Sequence, residues 1–322
     1  MSADGTVVAL SGGVGGAKLA DGLHRLLPTG GLTVCCNVGD DFEHLGLHIS
    51  PDIDTVVYTL AGLADRERGW GVEGETWRFM AGLERLEGET WFQLGDIDLA
   101  THVLRTERLR AGEKLSEVTA ELAQALGLAT RVCPATDDPV RTIVETPDGD
   151  LTFQSYFVRE RCAPTVTGLR FSGAEDARPS PSVIDALDDA HLQAIVWCPS
   201  NPFLSIQPML AVTGLRDAIA RRRVPCVAVS PVIGGEAVKG PLAKMMREMG
   251  LPVCSSAIAA LYVGLIDGMV IDETDRAEAP AIEALGIKVL TTPTLMRTIE
   301  DRGRLADRAL TFAVSLRTGA AA

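Results

Sequence analysis

Apolar runs of strand length recur along this chain, and amphipathic stretches fill the gaps between them. The runs are TVVALS (6–11), LTVCCNV (32–38), AIVWCPS (194–200), CVAVSP (226–231), GMVID (268–272) and IKVLTT (287–292). Most are continuous rather than alternating, which is how a strand covered on both faces reads. Helical periodicity runs over 17–27, 206–222, 241–249, 256–266, 278–285 and 294–316. Strand, helix, strand in alternation predicts a Rossmann-like α/β fold, a mostly parallel sheet with helices on both faces.

Two regions break this rhythm. Residues 65–128 have helical periodicity, little strand character and three of the four tryptophans, so they predict a helical insertion or lid. Residues 140–171 alternate apolar and polar around a Pro147-Asp148-Gly149 turn, which predicts a β-hairpin added antiparallel to the sheet. No stretch reads as a flexible linker, so residues 1–322 are expected to form a single α/β domain carrying these two additions.

Composition narrows the partners. The net charge is -13 over 322 residues, so the chain repels a phosphate backbone and nucleic acid is not expected. The longest apolar run, AIAALYVGLI (257–266), is too short to cross a bilayer, and the first residues lack the pattern of a signal peptide. Seven cysteines are scattered without a C-x-x-C spacing. They read as reduced core thiols of a cytoplasmic protein.

The chemistry concentrates at strand ends. Gly12, Gly13, Gly15 and Gly16 crowd the turn after the first strand, and Lys18 follows at the start of a helix. Such a turn offers backbone N–H groups and a positive helix end to an anion. It fits neither standard cradle. Lys18 stands where a dinucleotide fold needs its third glycine, and Ala17 and Leu19 break the Walker pattern. A tight turn without ligand is the plain alternative. Asp40 and Asp41 end the second strand, and Asp52 and Asp54 open the next helix; the pairs suit a hard cation on diphosphate oxygens, while helix capping explains Asp52 and Asp54 equally well. His44 and His48 are four apart, but Gly46 between them argues for a loop rather than a shared zinc. Two further strand ends carry polar, small-residue loops: Ser200-Asn201-Pro202, and Gly234-Gly235 through Lys239 and Gly240. Three such loops suggest one extended ligand with several polar groups.

Nine segments, in order over nearly the whole chain, resemble the 2-phospho-L-lactate transferase family of deazaflavin coenzyme F-420 biosynthesis. They are SGGVGGAK (11–18), NVGDD (37–41), SPDIDT (50–55), WGVEGETW (70–77), LGDIDLATH (94–102), TDDPVRT (136–142), FQSYFV (153–158), PSNPFLSI (199–206) and SPVIGGEAVKGP (230–241). The resemblance implies a transferase that moves a phospho-hydroxyacid unit (2-phospho-L-lactate, phosphoenolpyruvate or 3-phosphoglycerate) from its guanosine diphosphate ester to the terminal ribityl hydroxyl of the deazaflavin Fo. GMP leaves and F-420-0 or its dehydro form results. It also implies Mg²⁺ on Asp40, Asp41 and Asp54, catalytic roles for Asp54 and Asp41, an Fo site at Asp54, Gln93 and His102, and a homodimer. Gln93 stands where relatives carry a basic residue. The glycine turn, Lys18, Ser200-Asn201-Pro202, Gly234, Gly235 and Lys239 would then face the guanosine and its phosphates. A non-enzymatic nucleotide-sugar-binding regulator of the same fold is the alternative, and the SPDIDT and LGDIDLATH pair argues against it. Lys18 argues against an NAD-dependent dehydrogenase.

Overall fold

The computed structural model describes residues 5–318. Its central sheet has seven strands: β1 (Thr6–Ser11), β2 (Leu32–Cys36), β3 (Arg131–Pro134), β4 (Leu192–Trp197), β5 (Cys226–Val229), β6 (Gly268–Ile271) and β7 (Lys288–Thr291). They lie in the order β7-β6-β5-β4-β1-β2-β3, and every pairing is parallel. This is the doubly wound arrangement predicted from the continuous apolar runs. The order reverses between β1 and β4, which makes the crevice beyond their carboxyl ends the place for a ligand. Strands β2, β5 and β6 are buried at every position, and β1 and β4 at every position but one.

Helix α1 (Gly13–Leu26) follows β1 and packs on both α2 (Pro51–Leu60) and the C-terminal helix Ile299–Thr318. One buried carboxylate fastens α1 to the C-terminal helix. Asp21 accepts from Arg25 Nε at 2.8 Å and from Arg302 at 2.9 Å. At the next residue, Gly22, a Cβ would strike the Arg302 carbonyl, so the helices meet backbone to backbone.

The structure departs from the sequence pattern in four places. Strand β3 is unpredicted; it is four residues long, begins on exposed Arg131 and ends on Pro134, as an edge strand does. The region 65–128 contains α3 (Arg78–Arg85), α4 (Asp98–Arg110) and α5 (Leu115–Ala125), but α5 lies on β3 as a crossover helix. The hairpin of 140–171 forms with its turn at Thr146–Gly149, yet it does not join the main sheet. It pairs Arg141–Glu145 with Leu151–Thr152 and Gly168–Ser172 in a separate three-stranded antiparallel sheet. The periodic stretch 206–222 is cut into two short helices, Gln207–Ala211 and Leu215–Ala220, by a break at Gly214, whose φ is 93°.

Candidate active site

A cavity of about 580 Å³ opens beyond the carboxyl ends of β1 and β4, at the switch point of the sheet. It brings together Gly12, Gly13, Gly15, Lys18, Asp40, Asp54, Gln93, His102, Ser200, Asn201 and Lys239, which come from segments up to 227 residues apart (239 − 12). Gly16, Asp41, Pro202, Gly234 and Gly235 do not line it. Four aromatic rings are among the lining side chains, Trp70, Phe92, Phe153 and Phe157; the last two stack at 5.3 Å between centroids.

The glycine turn is built by close packing. A Cβ on Gly15 would lie 2.6 Å from the Pro199 carbonyl oxygen, and one on Gly16 would lie 2.6 Å from both Ser11 Oγ and Ser200 Oγ. These glycines let the end of β4 sit against the first turn of α1. Two N–H groups that the sequence assigns to a phosphate already have protein acceptors. Gly12 donates to Ser200 Oγ at 3.0 Å, and Gly13 donates to Asp52 Oδ1 at 2.6 Å. Asp52 therefore caps α1 rather than its own helix. Burial pushes its carboxyl up to about 6, against the pull of Asn37 and Gly13. Val14 and Gly15 remain at the cavity wall in the first turn of α1, where helical N–H groups have no intrahelical partner.

The acidic residues separate into two groups. Asn37 Nδ2 donates to Asp40 Oδ1 and Asp52 Oδ2, each at 3.0 Å. Burial, then the charges of Asp52 and Asp41, hold the Asp40 carboxyl well above the usual range. Asp41 turns to Ser50 Oγ at 2.7 Å and His48 Nε2 at 3.2 Å, and its Oδ1 has no hydrogen-bond partner. Asp54 stands apart, facing α4. It receives both terminal nitrogens of Arg105, with NH1 to Oδ2 at 3.0 Å. His102 Nδ1 lies 3.7 Å from Asp54 Oδ2, and its Nε2 lies 3.2 Å from Asp98 Oδ2 without the alignment of a hydrogen bond. Tyr58 donates to the other Asp98 oxygen at 2.7 Å. Burial raises the Asp54 carboxyl despite Arg105 and His102. At Asp98 burial also opposes ionisation, but His102 and Tyr58 outweigh it and lower the carboxyl.

These contacts correct the expected cation site. Asp40, Asp41 and Asp54 do not converge. Among the described residues, the group whose ligand atoms lie within 4.8 Å of one another is Asp54, Asp98 and His102. Two carboxylates suit a hard cation, and the unpartnered, buried His102 Nε2 supplies a third donor. Sequence reasoning reached Asp54 and His102 but gave no site role to Asp98 or Arg105. The signal was there: Asp98, His102 and Arg105 stand at i, i+4 and i+7, one face of α4.

The cations behave differently from one another. Lys18 donates to the Met296 carbonyl at 3.0 Å, and burial, then Arg302 and Lys239, lower its ammonium. Lys239 has no hydrogen bond and no carboxylate partner among the described residues. Asn201 spends its Oδ1 on the N–H groups of Phe203 and Leu204, capping the wide turn Pro202–Ile206. Gln93 donates to the Thr90 carbonyl at 2.8 Å. His44 and His48 sit on a short hairpin, Phe42–His44 with Leu47–Ile49, and do not share a partner. His44 packs between Phe42, Trp91 and Phe92.

Fold and cavity together define a doubly wound α/β protein with a ligand-sized site at its switch point. The family model of the 2-phospho-L-lactate transferase CofD matches residues 7–293, so the chain belongs to that family and is a transferase. It is 40% identical to a phosphoenolpyruvate transferase of Kitasatospora aureofaciens over 97% of this chain and 99% of that one. It is 38% identical to a 2-phospho-L-lactate transferase of Methanosarcina acetivorans over 94% and 97%. Among solved structures, a member of the UPF0052 family from Bacillus halodurans shares the fold with a TM-score of 0.62 and 17% identity, covering 96% of this chain and 99% of that one. No described helix is long and apolar enough to cross a membrane.

Proposed function

We propose that this transferase moves a phospho-hydroxyacid unit from its guanosine diphosphate ester to the terminal ribityl hydroxyl of Fo, releasing GMP. The observation that carries the reading is that one cavity gathers two unlike sets of groups, aromatic rings and cations with free helix N–H groups. The rings of Trp70, Phe92, Phe153 and Phe157 suit a planar deazaflavin. The first turn of α1, Ser200, Lys18 and Lys239 suit the phosphates of a nucleotide ester. Asp54, Asp98 and His102 line the cavity too, and Asp54 is the group to meet the attacking hydroxyl.

Phosphoryl transfer asks for positioning and charge neutralisation more than for covalent help. Mg²⁺ is the expected cation. Asp54, Asp98 and His102 would hold it, and it would supply positive charge to the phosphate oxygens. The chain's own residues do the rest: the rings exclude water from the acceptor, and Lys239 offers an unpaired cation to the donor. Relatives named for phosphoenolpyruvate and for 2-phospho-L-lactate stand at 40% and 38% identity, so identity alone does not separate the donors.

The test offers Fo and Mg²⁺ with the lactyl, enolpyruvyl and phosphoglyceryl diphosphoguanosines in parallel, following deazaflavin product and GMP by chromatography. One-to-one formation of both products with at least one donor is the expected result. No product with any donor, together with tight UDP-sugar binding and no affinity for Fo, would instead support the regulator of the same fold. In the cytoplasm the protein is expected to act as a homodimer, which sedimentation would test.

A further inference from the structure

We infer that Arg105 is a positioning residue for the transfer, fixing the plane of the Asp54 carboxylate from behind. The inference rests on the transfer reading above. Arg105 does not line the cavity, so it cannot touch a substrate bound there. It is 1% exposed, and the space beside its guanidinium is bounded by Ile53, Val57, Thr119, Leu122 and Leu126. Its planar fork reaches across from α4 to α2 and engages both oxygens of Asp54.

A carboxylate has about four lone-pair sites, and a side-on fork takes one on each oxygen. The remaining lone pair on each oxygen is left for whatever meets Asp54 from the cavity. Without the fork, Asp54 is free to rotate about its last bond, and its cavity-facing lone pairs lose their direction. A lysine cannot substitute, because an ammonium is a point charge without the two parallel N–H bonds. The same contact ties the helical insertion to the reacting end of the site. Three residues of one α4 face, Asp98, His102 and Arg105, meet two of one α2 face, Asp54 and Tyr58.

The experiment compares wild type, Arg105→Lys, Arg105→Gln, Asp54→Asn and the double variant Arg105→Lys/Asp54→Asn. Thermal melts establish folding, equilibrium dialysis measures Fo affinity without donor, and steady-state kinetics gives kcat and the donor KM. For Arg105→Lys we expect kcat to fall about 100-fold, the scale of a small misplacement at a reacting group. The donor KM should stay within about twofold, because Arg105→Lys leaves the Asp54 carboxylate in place to hold the cation, and Lys239 and the α1 turn still meet the phosphates. In Fo affinity the two single losses should not add: the double variant should bind within about twofold of Asp54→Asn alone. An Arg105→Lys kcat within about threefold of wild type, or losses of Fo affinity that multiply, would overturn the inference. If neither Arg105 variant melts as a native protein, Arg105 is a structural clamp and the positioning role also falls. Wild type that neither binds Fo nor turns over any donor overturns the transfer reading itself, which is a different outcome from a tolerant Arg105.

Discussion

The turn after β1 and the loop after β5 look alike in sequence, and they are built for different reasons. Both are glycine-rich strand ends followed by a lysine and a helix. In the first, Gly15 and Gly16 make room, since side chains there would collide with Pro199, Ser11 and Ser200, and only Gly13 has a left-handed φ, 65°. In the second, glycine supplies conformation. Gly234, Gly235 and Gly240 have φ of 60°, 75° and 73°, and at Gly240 a Cβ would meet nothing within 4 Å. Each loop also presents an N–H to a carboxylate brought from elsewhere. Gly13 donates to Asp52, and Gly234 donates to Asp275 at 2.9 Å. Burial raises both carboxyls. A glycine-rich strand end is thus not sufficient to predict an open anion cradle, since the protein can occupy its N–H groups first.

The comparison can be broken most directly at Gly16. Gly16→Ala should destabilise the fold by about 3 kcal/mol, the upper range for overpacking against fixed neighbours. Denaturant unfolding would measure it, and a loss below about 1 kcal/mol would mean that the turn is not tightly packed. The next effect is one of pH. The folded protein holds the Asp52 proton up to about 6, well above the carboxyl range of an unfolded chain. The folded state therefore binds the extra proton between about pH 4 and 6, so stability from this group is present below that window and is lost as pH rises through it. Relative to Asp52→Asn, wild type should lose on the order of 2 kcal/mol between pH 4 and pH 7, read from paired unfolding curves. A pH-independent difference would remove Asp52 as the buried cap.

Smaller effects belong to the second loop. Lys239→Ala should raise the donor KM about tenfold and leave the unfolding midpoint unchanged, because this ammonium has no protein partner to lose. An unchanged KM would detach the loop from the donor. Gly240→Ala should cost about 1 kcal/mol, the strain of a left-handed alanine without a clash. A cost equal to that of Gly16→Ala would erase the distinction between the two glycine uses.

Much of this was legible in the sequence. Six of the seven sheet strands announced themselves as apolar runs, five because strands covered on both faces need apolar side chains throughout, and the edge strand β7 through Ile287, Val289 and Leu290. β3 did not, since a short edge strand with Arg131 and Pro134 at its ends lacks that constraint. Strand ends marked the cavity, and Asp54, His102, Ser200 and Lys239 were found there. What stayed hidden was pairing over distance. Nothing local to Asp54 says that a fork 51 residues later will hold it, or that Asp52 will cap α1 rather than its own helix. Asp98 and Arg105 did not stand out because the helix that carries them is polar on more than one face. Buried ion pairs leave no hydrophobic signature, so a reading based on apolar periodicity passes over them.

The clasp of Asp21 on Arg302 has a consequence for how the molecule is made. Helix α1, which carries the glycine turn, leaves the ribosome well before its partner helix. Until residue 302 emerges, Asp21 is a carboxylate without one of its two arginines, and the close-packed groove at Gly22 is open. Chains emerge at about 5–20 residues per second, so the proposed phosphate-binding helix waits roughly 14 to 56 seconds for its support, 281 residues after Asp21. Until then the nascent chain can pair its strands, but it cannot lock the helix on which the substrate phosphates are proposed to rest.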